Sequence, residues 1–221
     1  MNCGIGSLDD KKNIKKNIEI VKKKLNINCK KIFLAYQIHS NKFYFIDKYS
    51  YYDKKLKGDA LITNKRNFPL GILTADCVPI LLCDKRKKMI AAIHAGWKGA
   101  YKDIIKKVVR FFVKSGSNPK EIIAAIGPCI SVKNYEVKKD FKKKFIKKDT
   151  KNTIFFKKRK GKLYFNLNKY IYSELKKVGV NNIDIINKDT FKNSSEFFSA
   201  RRALKNKEND YGRNISIIML K

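Results

Sequence analysis

Short apolar runs separated by polar or turn residues cover most of the chain, and they predict more strands than helices. Apolar runs of this length between turn residues are typical of buried strands. Three such runs, at 71–74, 78–83 and 89–93, follow one another closely. Further strands are predicted at 31–36, 43–47, 58–63, 121–126, 153–157, 163–165, 182–186 and 214–220.

Apolar residues recur at helical spacing in several other segments. The first begins after Ser7 and Asp10, which are spaced as in a capping box, and it continues to Leu25. Other helices are predicted around 104–112 and 137–147, and a last one ends near Gly179. Because strands and helices do not alternate strictly, we expect an α+β fold: a mixed β-sheet core with flanking helices, in a single domain over residues 1–221.

Only two histidines occur in the 221 residues, and both lie in polar breaks beside apolar runs. His39 follows the strand at 31–36, His94 ends the strand at 89–93, and Cys77 lies between two strands of the same region. Two imidazoles and one thiolate are enough to hold a catalytic zinc ion, which keeps a fourth position open for water. Zinc lowers the pKa of that water to about 7, so that hydroxide is available at neutral pH.

Other interpretations of Cys77 stay open at this point. As a thiolate nucleophile paired with His94, it would make the protein a metal-independent hydrolase. The neighbouring Asp76 is a candidate for proton transfer or for orienting the groups beside it. As a small buried residue, Cys77 would have no chemical role, and this is the interpretation we favour for Cys83 and Cys129.

Two loops are candidates for substrate binding. Gly96 and Gly99 lie at the start of a helix, where backbone N–H groups can hold an anion and Lys98 can add a charge. A plain turn with two glycines explains the same residues equally well. The loop at 197–202 is rich in aromatic residues and arginine, and its Arg201 would contact either the substrate or a structural ion-pair partner.

The chain is strongly basic, with 52 lysines and arginines against 19 acidic residues and a formal net charge of +33. Such a charge is typical of proteins that bind nucleic acid or an anionic surface. However, only seven of these cations are arginines, and the excess comes with many Asn, Ile, Phe and Tyr residues, all encoded by A/T-rich codons. We therefore favour base composition as the cause, and expect nucleic acid to bind only non-specifically. A basic nucleic-acid-binding protein whose active site has decayed is kept as an alternative function.

The five cysteines are scattered and contain no CxxC pair, which favours a reducing compartment over a disulfide framework. The N-terminus has no apolar signal core, and no apolar run approaches the roughly 18 residues that span a bilayer. The sequence predicts a cytoplasmic protein without a membrane segment.

Several motifs together resemble the YfiH family of laccase-domain, multicopper polyphenol oxidase-like proteins. They are QIHS, GDALIT, TADCVPILLCD, AAIHAGWKGA, AIGPCI with NYEV, and FFSARR. The resemblance implies a fold similar to the cytotoxic necrotising factor catalytic domain, and a zinc ion held by His39, Cys77 and His94. It also implies phosphorolysis of adenosine, inosine or methylthioadenosine and deamination of adenosine, so that the partners are a purine nucleoside and inorganic phosphate. Some members are instead named peptidoglycan editing factors, which makes a cell-wall precursor the substrate of the hydrolase alternative.

The chain departs from the family pattern at three places. Lys98 stands where members often have arginine, and it loses the bidentate geometry of a guanidinium. Asp189 stands where a cysteine often precedes the threonine. Ala200 and Ala203 stand where members often have the tyrosine and the aspartate of FFSYRRD. Multicopper chemistry is not expected, because two histidines cannot supply a type 1 site and a trinuclear cluster; a single blue-copper centre would still need an axial ligand such as Met89.

Overall fold

The computed structural model describes residues 1–27, 29, 31–47 and 56–221, and this part of the chain has the predicted α+β fold. Its strands are β1 (Phe33–Leu34), β2 (Phe43–Phe45), β3 (Ala60–Thr63), β4 (Leu70–Thr74), β5 (Val78–Asp84), β6 (Met89–Ala95), β7 (Ile123–Ile126), β8 (Glu136–Val137), β9 (Phe156–Arg159), β10 (Lys162–Phe165), β11 (Asn182–Ile185) and β12 (Asn214–Ile218). Its helices are α1 (Lys11–Lys24), α2 (Trp97–Tyr101), α3 (Ile104–Lys114), α4 (Lys139–Lys148), α5 (Leu167–Lys177) and α6 (Ala200–Lys205).

The main sheet has six strands in the order β11-β7-β5-β6-β3-β2. Its inner pairs, β7–β5, β5–β6 and β6–β3, are antiparallel, and its two outer pairs are parallel. Two smaller sheets, β1-β4-β12 and β8-β10-β9, accompany it. The sheet is therefore mixed, as predicted.

Strand β6 is covered on both faces, which explains why its sequence is a continuous apolar run. Every residue from Met89 to Ala95 is buried. Successive side chains of a strand point to opposite faces, so Ala91 and Ile93 belong to a core that also contains the apolar faces of α3 and α5. Ile90 and Ala92 belong to a second core, shared with residues of β1 and β4.

Three predicted elements are wrong in kind or in extent. The helix predicted at 137–147 begins two residues later, because Glu136–Val137 pair with β10 as a strand. The strand predicted at 153–157 is mostly a 3-10 turn, Thr150–Phe155, which begins where the Asp149 side chain accepts the N–H of Lys151. The strand predicted at 31–36 shortens to two residues.

Helix ends account for the other differences. Ser7 does not cap α1, because its hydroxyl donates to the Gly4 carbonyl, while Asp10 accepts the N–H of Lys12. The loop predicted at 197–202 ends in α6, which Ser199 caps by accepting the N–H of Arg202. The helical segment after His94 is divided into α2 and α3 by Asp103, whose φ is 65°. In the described part of the chain, no helix is both long enough and apolar enough to cross a bilayer.

Candidate metal centre

The centre lies at one end of the main sheet because β6 runs antiparallel to both of its neighbours, β3 and β5. The end of β6 is therefore beside the beginnings of these two strands. His94 lies near the end of β6, Cys77 directly precedes β5, and Asp59 directly precedes β3. Polar residues that interrupt three apolar runs thus meet at a single edge.

His39 completes the cluster from the loop between β1 and β2. Its Nε2 lies 3.8 Å from Cys77 Sγ. Its ring meets the ring of His94 edge to face, with the centroids 4.8 Å apart. One potential ligand atom from each of His39, Cys77 and His94 lies within 4.8 Å of the other two. His39 is exposed and His94 is buried, so the cluster opens to solvent on the His39 side.

Asp59 is a buried carboxylate that holds both histidines. It accepts the Nδ1 hydrogen of His94 at 2.8 Å and the backbone N–H of His39 at 2.9 Å. It also accepts the backbone N–H and the hydroxyl of Ser40. These bonds hold His39 in a left-handed conformation, with φ of 55°. Because Nδ1 of His94 donates to Asp59, its Nε2 is left as the donor for a metal, the arrangement found behind many metal-bound histidines.

The chemistry of these donors fits a single borderline-soft metal ion. Two imidazole nitrogens and one thiolate sulfur are zinc ligands in catalytic sites, where the protein supplies three ligands. The described part of the chain holds one such group of three His, Cys, Asp or Glu residues, and it is this cluster.

Cys77 and His94 favour each other's charged forms. Burial opposes charge on both side chains, but their mutual attraction and the surrounding hydrogen bonds outweigh it. The pKa of Cys77 falls to about 6, because His94 and His39 stabilise the thiolate. The pKa of His94 rises to about 9 beside Cys77 and Asp59. Without metal, the pair is therefore a thiolate and an imidazolium at neutral pH.

Asp76 and Arg201 lie next to this cluster and contact each other. One Asp76 carboxylate oxygen accepts the Thr190 hydroxyl at 2.7 Å, and the other accepts the backbone N–H of Arg201 at 2.6 Å. The Arg201 guanidinium donates to the Glu136 carbonyl and lies over the Tyr135 ring. Asp76 thus ties α6 to the loop before β5, and its role in proton transfer stays a prediction.

Two cavities open on the cluster. The smaller has a volume of about 220 Å³ and is lined by His39 and Cys77 together with Asp76, Tyr135 and Arg201. The larger, of about 790 Å³, is lined by all three cluster residues and by residues from the N-terminal segment, β1, β4 and the loop before β12. Lys98 is exposed and is not among the residues that line either cavity. Its role in substrate binding stays a prediction.

The sequence-based prediction did not assign Asp59 to the site, and it placed Gly96 only in a possible anion-binding loop. Asp59 lies within GDALIT and precedes a buried strand, just as Cys77 does, so its position was a usable signal. Gly96 leaves room for the side chains of Cys77 and His39, because a Cβ atom there would lie 2.9 Å from Cys77 Sγ and 2.9 Å from His39 Cδ2. No sequence pattern indicates this contact, because it joins three separate loops.

Comparison with known proteins gives consistent matches over most of the chain. A purine nucleoside phosphorylase of Rickettsia conorii is 35% identical over 220 residues, covering 94% of this chain and 90% of the relative. A purine nucleoside phosphorylase of Haemophilus influenzae is 32% identical over 213 residues, covering 95% and 82%. The crystal structure of a Bacillus licheniformis hypothetical protein, YfiH, superposes with a TM-score of 0.90 at 30% identity, covering 100% of this chain and 85% of the other.

A family model matches the chain from residue 1 to residue 221, and its description is "multi-copper polyphenol oxidoreductase laccase". The resemblance found in the sequence motifs is confirmed by this match and by the YfiH structure. The chain therefore belongs to the YfiH family of proteins that are described as multi-copper polyphenol oxidoreductase laccases.

Proposed function

We propose that this chain is a zinc-dependent purine nucleoside enzyme that phosphorolyses adenosine, inosine or methylthioadenosine and deaminates adenosine. The observation that carries the proposal is the cluster of two imidazoles and a thiolate, with the Asp59 carboxylate buried behind it. Relatives that match nearly the whole chain carry the name purine nucleoside phosphorylase. The copper in the family description is a poor fit to this cluster, because a trinuclear copper site needs many more imidazoles than two.

His39, Cys77 and His94 would hold the zinc ion, and residues of this cluster line both cavities. When bound, zinc would supply a Lewis acid that polarises an oxygen of the substrate or of water. Asp59 orients His94 through Nδ1 and holds His39 through its backbone N–H, so both donors are fixed before substrate arrives. This preorganisation reduces the rearrangement required when charge develops at the metal.

The cavities have the size and the surface that a nucleoside requires. The larger one, about 790 Å³, lies within the range of small-molecule sites. The smaller one presents Tyr135 and Leu167, which suit the face of a purine, and Arg201 and Asp76, which suit its polar edge. We propose Asp76 as a proton-transfer group for the departing base or ammonia, and Arg201 as a substrate contact. We place the enzyme in the cytoplasm, where the five cysteines, all of them free, would stay reduced.

Product analysis tests this function. The purified protein is incubated with inosine and with adenosine, in the presence and absence of inorganic phosphate, and the products are separated by chromatography. We expect free base and ribose 1-phosphate only with phosphate, and inosine from adenosine without it. Failure to convert either nucleoside under any of these conditions would refute the proposal.

A second function is favoured by one specific observation, the thiolate–imidazolium pair of Cys77 and His94 with Asp59 behind the histidine. A cysteine, a base and a residue that orients the base form the arrangement of a cysteine hydrolase. Such an enzyme would act without metal, for example on a cell-wall precursor. It is distinguished by full activity in the presence of a zinc chelator.

A further inference from the structure

The two cavities that open on the metal centre differ in charge. Among the described residues that line the larger one, none is Asp or Glu, and Arg213 is the one cationic side chain apart from the two imidazoles. The smaller cavity contains Arg201 but also the carboxylate of Asp76. An anion in the larger cavity therefore meets no carboxylate from the described residues that line it.

Arg213 is held in place, and most of its guanidinium donors have no partner among the described residues. Its guanidinium stacks over the Tyr211 ring at 3.9 Å from the centroid. Its Nη1 donates a hydrogen bond to the Asp210 carboxylate at 3.4 Å, the one acceptor for this guanidinium among the described residues. A guanidinium has five N–H donors in a planar fork, which matches the oxygens of a phosphate. The remaining donors are therefore available to an anion in the cavity.

The N-terminal segment fixes the backbone and the stem of Arg213. The Asn2 side chain accepts the backbone N–H of Arg213 at 2.9 Å and that of Gly4 at 2.8 Å. A Cβ atom at Gly4 would lie 2.8 Å from Arg213 Cγ, so only glycine permits this close approach. The segment and Arg213 form one wall of the larger cavity.

The start of α2 is a weaker anion site. The helix has five residues, Trp97–Tyr101, and its N-cap Gly96 is buried. Lys98 is exposed, with Nζ 5.8 Å from the centroid of the neighbouring Trp97 ring. Neither cavity at the metal centre is lined by Lys98.

We propose that Arg213 binds the inorganic phosphate of the phosphorolysis reaction in the larger cavity, with Tyr211 as the residue that positions its guanidinium. This inference rests on the proposed function. A phosphate oxygen would form the bond to the anomeric carbon while the glycosidic C–N bond breaks, and the base would leave with the electron pair and take up a proton. The purine would lie in the smaller cavity, which shares Tyr211 as a lining residue with the larger one.

The test compares Arg213→Gln and Arg213→Lys with a control, Arg86→Gln, whose side chain is exposed and paired with Glu121. For inosine phosphorolysis, Arg213→Gln should raise KM for phosphate about ten- to hundredfold, the loss expected of charge-assisted hydrogen bonds. Arg213→Lys should recover part of the loss, since it keeps the charge but not the fork. KM for inosine and the zinc content should stay at the wild-type values.

Thermal unfolding with increasing inorganic phosphate gives a readout that does not depend on catalysis. A ligand that binds only the folded state raises Tm. We expect phosphate to raise the Tm of the wild type and of Arg86→Gln, but not that of Arg213→Gln. If Arg213→Gln does not fold, Arg213→Lys and Gly4→Ala are used in its place. A Cβ at Gly4 displaces the Arg213 stem, so Gly4→Ala should also raise KM for phosphate.

Two results would overturn the inference. One is a folded Arg213→Gln with an unchanged KM for phosphate and an unchanged Tm response. The other is a rise in KM for phosphate with Lys98→Ala and none with Arg213→Gln, which would place the anion at the start of α2. A wild type that releases no base would instead refute the proposed function, and the Tm measurements would still decide whether Arg213 binds phosphate.

Discussion

Asp59 shows how a single buried carboxylate can organise a site that is built from distant loops. It contacts His94 across the sheet and the backbone of the loop that carries His39. Burial opposes its charge, yet the hydrogen bonds from His94 and Ser40 hold the Asp59 pKa below its ordinary value. The carboxylate is therefore ionised at neutral pH. It accepts five hydrogen bonds, from His94, Ser40 and the backbone N–H groups of residues 38–40, and a neutral side chain could not replace all of them.

Asp59→Asn is predicted to weaken zinc binding by about 10- to 100-fold, the usual effect of removing a partner behind a metal-bound histidine. The amide keeps the size of the carboxylate but presents N–H groups to donors, and it no longer favours the tautomer of His94 that exposes Nε2. Zinc affinity would be measured by competition with a chelator. Asp184→Asn, at an exposed residue of β11, is the matched control. Equal zinc affinity in Asp59→Asn and wild type would contradict this role.

Cys77 should be the most reactive thiol of the metal-free protein. Its pKa is about 6, whereas the pKa values of Cys3, Cys29, Cys83 and Cys129 are all raised, mainly by burial. Because the pKa of Cys77 is lowered, its thiolate persists at neutral pH and is lost as the pH falls below about 6.

In chelator-treated protein at pH 7, iodoacetamide should therefore label Cys77 first, with a rate that is half-maximal near pH 6. Peptide mapping by mass spectrometry identifies the labelled cysteine. Added zinc should protect it. A half-maximal rate near the ordinary thiol pKa of about 8.5 would contradict the paired thiolate.

At the scale of elements, the sequence predicts best where burial is continuous. β4, β5 and β6 were predicted nearly to the residue, because a strand covered on both faces must be apolar throughout. The helix α3 was predicted from its buried face. The two-residue strand β1 was predicted too long, and β8 was predicted as the start of a helix. Strands this short are defined by their partners and not by their own sequence pattern.

The site residues also differ in whether local sequence or long-range contacts define them. The cluster of His39, Cys77 and His94 was predicted from residue types and from motifs, and the structure brings the three side chains together. The roles of Asp59, Gly96 and Arg213 depend on contacts between segments that are far apart in the sequence. Such contacts leave no periodicity. The hydrophobic pattern can mark the position of Asp59 before a buried strand, but it cannot predict the contacts that these three residues make.

Gly96→Ala is predicted to lower zinc content and activity, because the added methyl group would lie 2.9 Å from both Cys77 Sγ and His39 Cδ2. Either these two side chains or the loop before α2 must shift. The control is Gly161→Ala, at a turn with φ of 74° and no neighbouring atom within 4 Å. That variant should lose about 1 kcal/mol of stability through backbone strain and keep its zinc. Normal zinc content in Gly96→Ala would show that the loop tolerates the methyl group.

At the scale of the whole molecule, the net charge of +33 is the most unusual feature. It comes mainly from lysines, many of them exposed on α1 and α4. A positive field raises the local concentration of anions, which would assist a reaction that consumes phosphate. It also attracts nucleic acid without requiring a binding site.

We predict that nucleic-acid binding is non-specific and is lost at about 150 mM salt, because each phosphate contact releases counterions. Fluorescence anisotropy with two unrelated duplexes of equal length, over a salt series, would measure it. Both duplexes should bind with the same affinity and the same salt dependence. A complex that forms with one sequence and survives at about 150 mM would revive the nucleic-acid-binding alternative.

We propose that purine nucleoside turnover depends on a zinc ion held by His39, Cys77 and His94. The most direct measurement is zinc content and nucleoside phosphorolysis in the same preparation, before and after removal of metal by a chelator. We predict about one zinc per chain, loss of activity with the metal and recovery on adding zinc back. His39→Ala, Cys77→Ala and His94→Ala should each lose both, whereas the control Cys83→Ala should keep both. Full activity in metal-free wild-type protein would contradict the account and favour the Cys77–His94 hydrolase.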